Sequence, residues 1–200
     1  MMILLTGGSG CGKSSFAERL CMEMPLPRYY IAAMKPYGEG GMEKVERHRK
    51  MRAGKGFETF ECYTEMEKLT LPARGTTLLE CVCNLTANEM FDETGNVCDP
   101  YARVLAGVEN LRGQSETLIV VTNDVGSDAE RYSAETRAYV EVLGRINAAL
   151  ADMADTVCEL VCGIPIILKG SSETTVTSCR IQISPIRTSS SRFHTLPAGL

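Results

Sequence analysis

The chain has 200 residues, 44% of them hydrophobic and 23% charged, with 18 Gly and 8 Pro. This composition excludes collagen-like, coiled-coil or wholly disordered character and fits one packed domain of ordinary size. Lys and Arg number 21 against 25 Asp and Glu, a net charge of -4, so there is no bulk electrostatic case for nucleic acid or an anionic membrane, and any anion site must be local.

No apolar run reaches the roughly 20 residues that span a bilayer. The apolar start Met1 to Leu5 has no basic stretch before it and runs straight into glycines, so the chain reads as cytoplasmic. Nine cysteines at irregular spacings, several inside apolar runs, read as free thiols in a reducing compartment.

Met2 to Thr6 is a short apolar strand. Glycine-rich residues follow, and then Phe16, Ala17, Leu20 and Met24 recur at helical spacing until Pro25. Arg28 to Met34 reads as a second strand, broken by Gly38 to Gly41 before a charged segment of helical propensity, Met42 to Arg52. Thr76 to Val82 is a third strand, with Cys81 and Cys83 in one strand-like run. Asp99-Pro100 starts a helix whose Tyr101, Val104, Leu105, Val108 and Leu111 form one stripe that stops at Gly113, and Thr117 to Thr122 is a fourth strand. Ser133 caps a long helix carrying Val140, Leu143, Ile146, Asn147, Leu150 and Met153. Thr156 to Val161 and Ile164 to Lys169 then form a hairpin turned at Gly163, with Pro165 favouring an edge.

Strands alternating with helices predict an α/β fold with a mostly parallel, doubly wound sheet and a C-terminal hairpin edge. Residues 1–170 form the predicted domain. The last 30 residues hold seven Ser and five Thr, and are expected to be a mobile tail with at most a short strand at Ile181 to Ile183.

Gly7, Gly12, Lys13 and Ser14 satisfy G-x-x-x-x-G-K-[ST] between a predicted strand and a predicted helix, which makes the fold P-loop NTPase-like. Backbone N–H groups of Gly7, Gly8, Ser9, Gly10, Cys11 and Gly12 can cradle phosphate oxygens at the helix N-terminus. Lys13 reaches the outer phosphates and the Ser14 hydroxyl ligates Mg²⁺. Glu80 ends an apolar strand expected next in the sheet, where a carboxylate is costly unless it faces a ligand, a cation or water. It is the second candidate near Mg²⁺. Asn123-Asp124 follows a strand at its C-terminal end, where such sheets bind ligands, although Asp124 reads equally as a turn residue. Cys81-x-Cys83 and the Cys158, Cys162 pair lack His partners and read as structural thiols.

Between Glu43 and Lys55 lie Lys44, Arg47, Arg49, Lys50, Arg52 and Lys55, with His48 among them. On a helix, Lys44, His48 and Arg52 share a face suited to a polyphosphate. A neutral imidazole there could attack phosphorus. The segment reads equally well as a solvated basic helix with an idle histidine.

The order and spacing of these blocks resemble the bifunctional adenosylcobinamide kinase and adenosylcobinamide-phosphate guanylyltransferase family of cobalamin biosynthesis, over about residues 1–170. The similarity is carried by the opening MILLTGG with GKS, Tyr30-Ile31-Ala32, Arg47-His48 with Arg52, Leu78-Leu79-Glu80-Cys81 with Asn88, and VVTNDVG with Arg137, Gly144-Arg145-Ile146-Asn147, Ala154-Asp155 and Gly163-Ile164. The resemblance implies ATP or GTP as phosphoryl donor to adenosylcobinamide. It also implies GMP transfer from GTP through His48 to the phosphorylated corrinoid, and a homo-oligomer, typically a trimer. It carries over as nucleotide contacts Gly7 to Ser14, Ala32, Ala33, Met34, Arg49, Lys50, Met51, Arg52, Glu61 and Glu80, with Lys13 and His48 catalytic. Gly10 and Cys11 depart from the family's Arg and Ser, and Gly38-Glu39-Gly40-Gly41 replaces its acidic residues. Two other readings of the residues stay open: a small-molecule kinase in which His48 only contacts phosphate, and a non-catalytic nucleotide-binding module.

Overall fold

The computed structural model describes residues 1–36, 42, 45–46, 49–50, 52–91, 97–125 and 132–170. Strands β1 (Met2–Thr6), β2 (Arg28–Ala32), β3 (Phe57–Glu61), β4 (Thr76–Glu80), β5 (Thr117–Val121), β6 (Thr156–Val161) and β7 (Ile164–Lys169) form one sheet in the order β3-β2-β4-β5-β1-β6-β7. Every pairing is parallel except β6 with β7. Helices α1 (Lys13–Met22), α2 (Val82–Met90), α3 (Tyr101–Gln114) and α4 (Ala134–Met153) cover it.

The two-residue period of the strands divides the core in two. Met2, Leu4, Tyr29, Ile31, Leu79, Leu118 and Val120 face α2, α3 and α4 and pack with Val82, Leu85, Val104, Val108, Leu143 and Ile146. Ile3, Leu5, Tyr30, Leu78, Ile119 and Val121 face α1 and its Phe16, Ala17 and Leu20. Near-continuous apolar runs are what a parallel sheet buried on both faces requires, and burial of each such large side chain stabilises by roughly 1.5–3 kcal/mol. Ser133 caps α4, its Oγ accepting the Thr136 N–H at 3.2 Å. The Asp99 carboxylate accepts the Tyr101 N–H at 2.9 Å at the start of α3.

Several boundaries differ from the sequence expectation. Strand β2 stops at Ala32 and β4 at Glu80, and α2 begins at Val82, so Cys83 is helical and not in a strand. An unbroken apolar run does not by itself distinguish strand from buried helix. Helix α1 stops at Met22, and α3 passes Gly113 to end at Gln114. Strand β3 was not expected. Its sequence FETFE is half exposed, because it is an edge strand paired only with β2. Strand β5 lies between β1 and β4, so Glu80 is not on the strand beside the glycine loop. The predicted tail, 171–200, lies outside the described residues.

Gly107 lets α3 press onto a 3-10 turn at Met66–Lys68: a Cβ there would lie 2.8 Å from Met66 Cβ. In an open helix, Gly→Ala gains about 1 kcal/mol, but Met66 is 1% exposed and cannot withdraw. Overpacking costs about 1–3 kcal/mol and should prevail. Gly107→Ala is therefore expected to lower the urea midpoint, whereas Gly113→Ala, with nothing within 4 Å, should not.

Candidate active site

Strand β1 delivers the chain at Thr6 into the glycine loop, and α1 takes it up at Lys13. Gly7 has φ of 136°, and a Cβ there would sit 2.5 Å from the Leu160 carbonyl oxygen, so only glycine lets the loop leave β1 beside β6. Lys13 is 6% exposed, and its Nζ donates to the carbonyls of Gly7 at 2.8 Å and Gly8 at 2.7 Å, with Cys11 Sγ at 3.6 Å. The ammonium is thereby held over its own loop at the N-terminus of α1, where the helix dipole favours an anion.

Glu80 lies on the α1 side of β4, in register with Ala32, and Tyr30 stands diagonally across on β2. Although β5 intervenes between β4 and β1, the first turn of α1 overlies this face, and Ser14 Oγ donates to Glu80 Oε1. The Tyr30 hydroxyl donates to Glu80 Oε2 at 2.9 Å. Arg52, 8% exposed, lays its guanidinium carbon 3.6 Å from the Tyr30 ring centroid. Further out, Glu61 accepts from Arg49 at 2.6 Å and from the Tyr63 hydroxyl at 2.9 Å. Burial and the Glu80 charge push the Tyr30 phenol far above its usual range, so it remains a donor. The Tyr63 and Arg49 hydrogen bonds hold the Glu61 carboxyl below the ordinary 4.5.

These groups enclose a cavity of about 290 Å³. Of the residues named from sequence, Ser9, Gly10, Gly12, Lys13, Ser14, Ala32, Met34, Arg49, Arg52, Glu61 and Glu80 line it. Gly7 and Gly8 stand behind Lys13, Cys11 touches its ammonium, and Ala33 is fully buried. Lys50 is exposed and pairs with Glu46 at 3.7 Å. His48 and Met51 lie outside the described residues, while Val45, Glu46, Arg49, Lys50 and Arg52 are helical as the segment predicted.

Sequence reasoning missed Tyr30, Tyr63 and Asn84 in the wall. The shared parity of Tyr30 and Glu80 on adjacent strands was the available signal only once their pairing was known. Asn123 also lines the cavity, its N–H donating to Cys83 Sγ at 3.3 Å, while Asp124 N–H reaches the Gly7 carbonyl at 3.2 Å. Asn88 works from behind, donating to the carbonyls of Ala33 and Tyr63. Among the described residues no three His, Cys, Asp or Glu side chains converge as a metal cluster. The Ser14 hydroxyl and Glu80 carboxylate do fit Mg²⁺, which takes one or two protein oxygens and fills the rest with phosphates and water.

A family model described as cobinamide kinase / cobinamide phosphate guanyltransferase (CobU) matches residues 3–168. The chain belongs to this family. It is 29% identical to the bifunctional adenosylcobalamin biosynthesis protein CobU of Salmonella typhimurium, over 84% of this chain and 100% of that one. Identity to the bifunctional adenosylcobalamin biosynthesis protein CobP of Pseudomonas aeruginosa is 30%, over 85% of this chain and 98% of the relative. Among solved structures, one from Pyrococcus horikoshii OT3 (Project ID PH0250) superposes with a TM-score of 0.51 at 10% identity, covering 86% of this chain and 87% of that one, a likeness of fold alone. The family match ends where β7 ends, within a residue of Lys169.

A carboxyl held low contributes its ion pair above its folded pKa and loses it as pH falls through that value. The Arg49–Glu61 contact is expected to persist below pH 4.5, seen as a Glu61 carboxyl NMR midpoint under that value. Arg49→Ala should return the midpoint toward 4.5.

Proposed function

We propose that this one cavity serves both reactions of the family, with residues 1–170 as the catalytic domain and the remaining residues appended to it. The observation that carries this reading is the contact chain Ser14–Glu80–Tyr30–Arg52, which joins the glycine loop to the basic segment around a single space. In the kinase reaction, loop N–H groups and Lys13 hold the outer phosphates of ATP or GTP. The aminopropanol hydroxyl of adenosylcobinamide attacks the γ-phosphorus and gives up its proton to solvent, the bond from that phosphorus to the β–γ bridging oxygen breaks, and the nucleoside diphosphate leaves, giving adenosylcobinamide phosphate. Ser14 and Glu80 would hold Mg²⁺, which supplies charge neutralisation on the phosphate oxygens.

In the guanylyl transfer, neutral His48 attacks the α-phosphorus of GTP, a P–N bond forms and pyrophosphate departs. A phosphate oxygen of adenosylcobinamide phosphate then attacks the same phosphorus, releasing His48 and giving adenosylcobinamide-GDP. Arg49 and Arg52 offset the negative charge of the attacked phosphate. All eight cysteines among the described residues are free thiols, which supports a reducing, cytoplasmic location. Among those residues no helix is long and apolar enough to cross a membrane. Ile164, Ile166 and Leu168 are exposed along β7 at the sheet edge, a surface of the kind that self-association covers, which supports a homo-oligomer, a trimer by family resemblance.

Incubation with Mg²⁺ and GTP labelled at the α-phosphate should leave acid-labile label on wild type and none on His48→Ala. Label on neither, with GTP bound, would favour a P-loop kinase without a covalent intermediate. Lys13→Ala should reduce both reactions about 100- to 1,000-fold, the scale of losing one preorganised charge-stabilising donor. Sedimentation equilibrium of the full chain should give a multiple of the monomer mass, and Ile166→Glu should reduce it.

A further inference from the structure

The two walls of the cavity come from distant parts of the chain, and Tyr30 touches both. Its hydroxyl occupies Glu80 Oε2 at 2.9 Å, which leaves Oε1 turned to Ser14. Its ring lies under the Arg52 guanidinium carbon, 3.6 Å from the ring centroid, and is braced edge-on by Phe57, with centroids 6.2 Å apart at 80°. Tyr30 is 3% exposed.

Each partner needs what Tyr30 provides. A carboxylate that presents one oxygen to a hydroxyl or cation must have its other oxygen fixed, or it rotates. Arg52 is 8% exposed, makes no ion pair among the described residues, and has a buried Nε without a hydrogen-bond partner there. A guanidinium so placed is compensated in part by the aromatic face and by the Glu61 carboxylate nearby, and its unpaired donors line a cavity in which an anion can meet them.

We propose that Tyr30 is a positioning residue that sets Glu80 and Arg52 in one rigid frame, so that the metal-facing and the anion-facing halves of the nucleotide site are assembled together. The inference rests on the reading of the cavity as a site for a nucleoside triphosphate with Mg²⁺. It differs from a packing role because the hydroxyl and the ring act on different partners and can be removed separately.

Tyr30→Phe keeps the ring and removes the hydroxyl; Tyr30→Leu removes both. Equilibrium binding of a fluorescent GTP analogue to the full chain, in EDTA and in Mg²⁺, separates the two effects. For Tyr30→Phe, affinity in EDTA should stay at the wild-type value while the gain conferred by Mg²⁺ falls about ten-fold, the scale of one hydrogen bond to a charged group. For Tyr30→Leu, affinity in EDTA should also fall, about five-fold, as Arg52 loses its platform. Arg52→Ala alone should weaken binding in EDTA, and added to Tyr30→Leu it should cost little more, because the two act as one unit.

A wild-type Mg²⁺ gain in Tyr30→Phe, or wild-type affinity in EDTA for Tyr30→Leu, overturns the proposal. So does an equal loss under both conditions in both variants with a lowered melting temperature, which marks packing alone. Wild-type protein that binds no GTP overturns the reading of the cavity itself, whereas wild-type binding indifferent to Tyr30 overturns only this inference.

Discussion

A carboxylate buried at the end of a central strand is the constraint on which the site depends. Glu80 is 8% exposed, and leaving its charge without partners there would cost several kcal/mol. Its two oxygens are met by Ser14 from the first turn of α1 and by Tyr30 from the adjacent strand. That requirement fixes the height of α1 above the sheet and so the place of the glycine loop, whose departure from β1 is already confined by the Leu160 carbonyl at Gly7. The Lys13 ammonium, folded onto the loop carbonyls, then stands beside the same cavity.

The sheet supports this arrangement because its two faces do different things. Three helices cover one face with a large apolar cluster, while among the described residues only α1 packs on the other, alongside the cavity. The basic segment closes that gap through two side-chain ties. Arg52 rests on Tyr30, and Lys55 pairs with Glu18, whose side chain is fully buried on α1. Breaking a buried pair of this kind costs about 3–5 kcal/mol, since the remaining charge stays uncompensated. Both ties land on α1 or on its side of the sheet, so Arg52 and Lys55 are fixed relative to the glycine loop that opens α1.

The parts of this design legible in the sequence were those written at short range. The G-x-x-x-x-G-K-S run between an apolar strand and a helical pattern marked Lys13 and Ser14 without reference to anything distant, and the buried Glu80 stood out because its cost demanded a partner. Ser133 announced the start of α4 through its cap, and Pro165 announced an edge. Cys83 was misplaced because an apolar run continues across the strand-to-helix boundary with no glycine or proline to mark it. Strand β3 went unread because FETFE, half exposed at an edge, carries little apolar signal. Tyr30 was seen only as a member of a buried strand, since its hydroxyl has meaning only opposite Glu80.

By itself, the sequence determined most of the elements, β3 and α2 excepted, and the glycine turn between β1 and α1, because periodicity, backbone restriction and capping act over a few residues. The tertiary structure decided the strand order, with β5 set between β1 and β4, and thereby which of those marked residues meet. Ser14 and Glu80 are 66 positions apart, and Tyr30 and Glu80 are 50 apart. No local rule links them. They come together because burying both faces of one parallel sheet brings the α1-facing residues of separate strands under a single helix, and that is a property of the whole packed core.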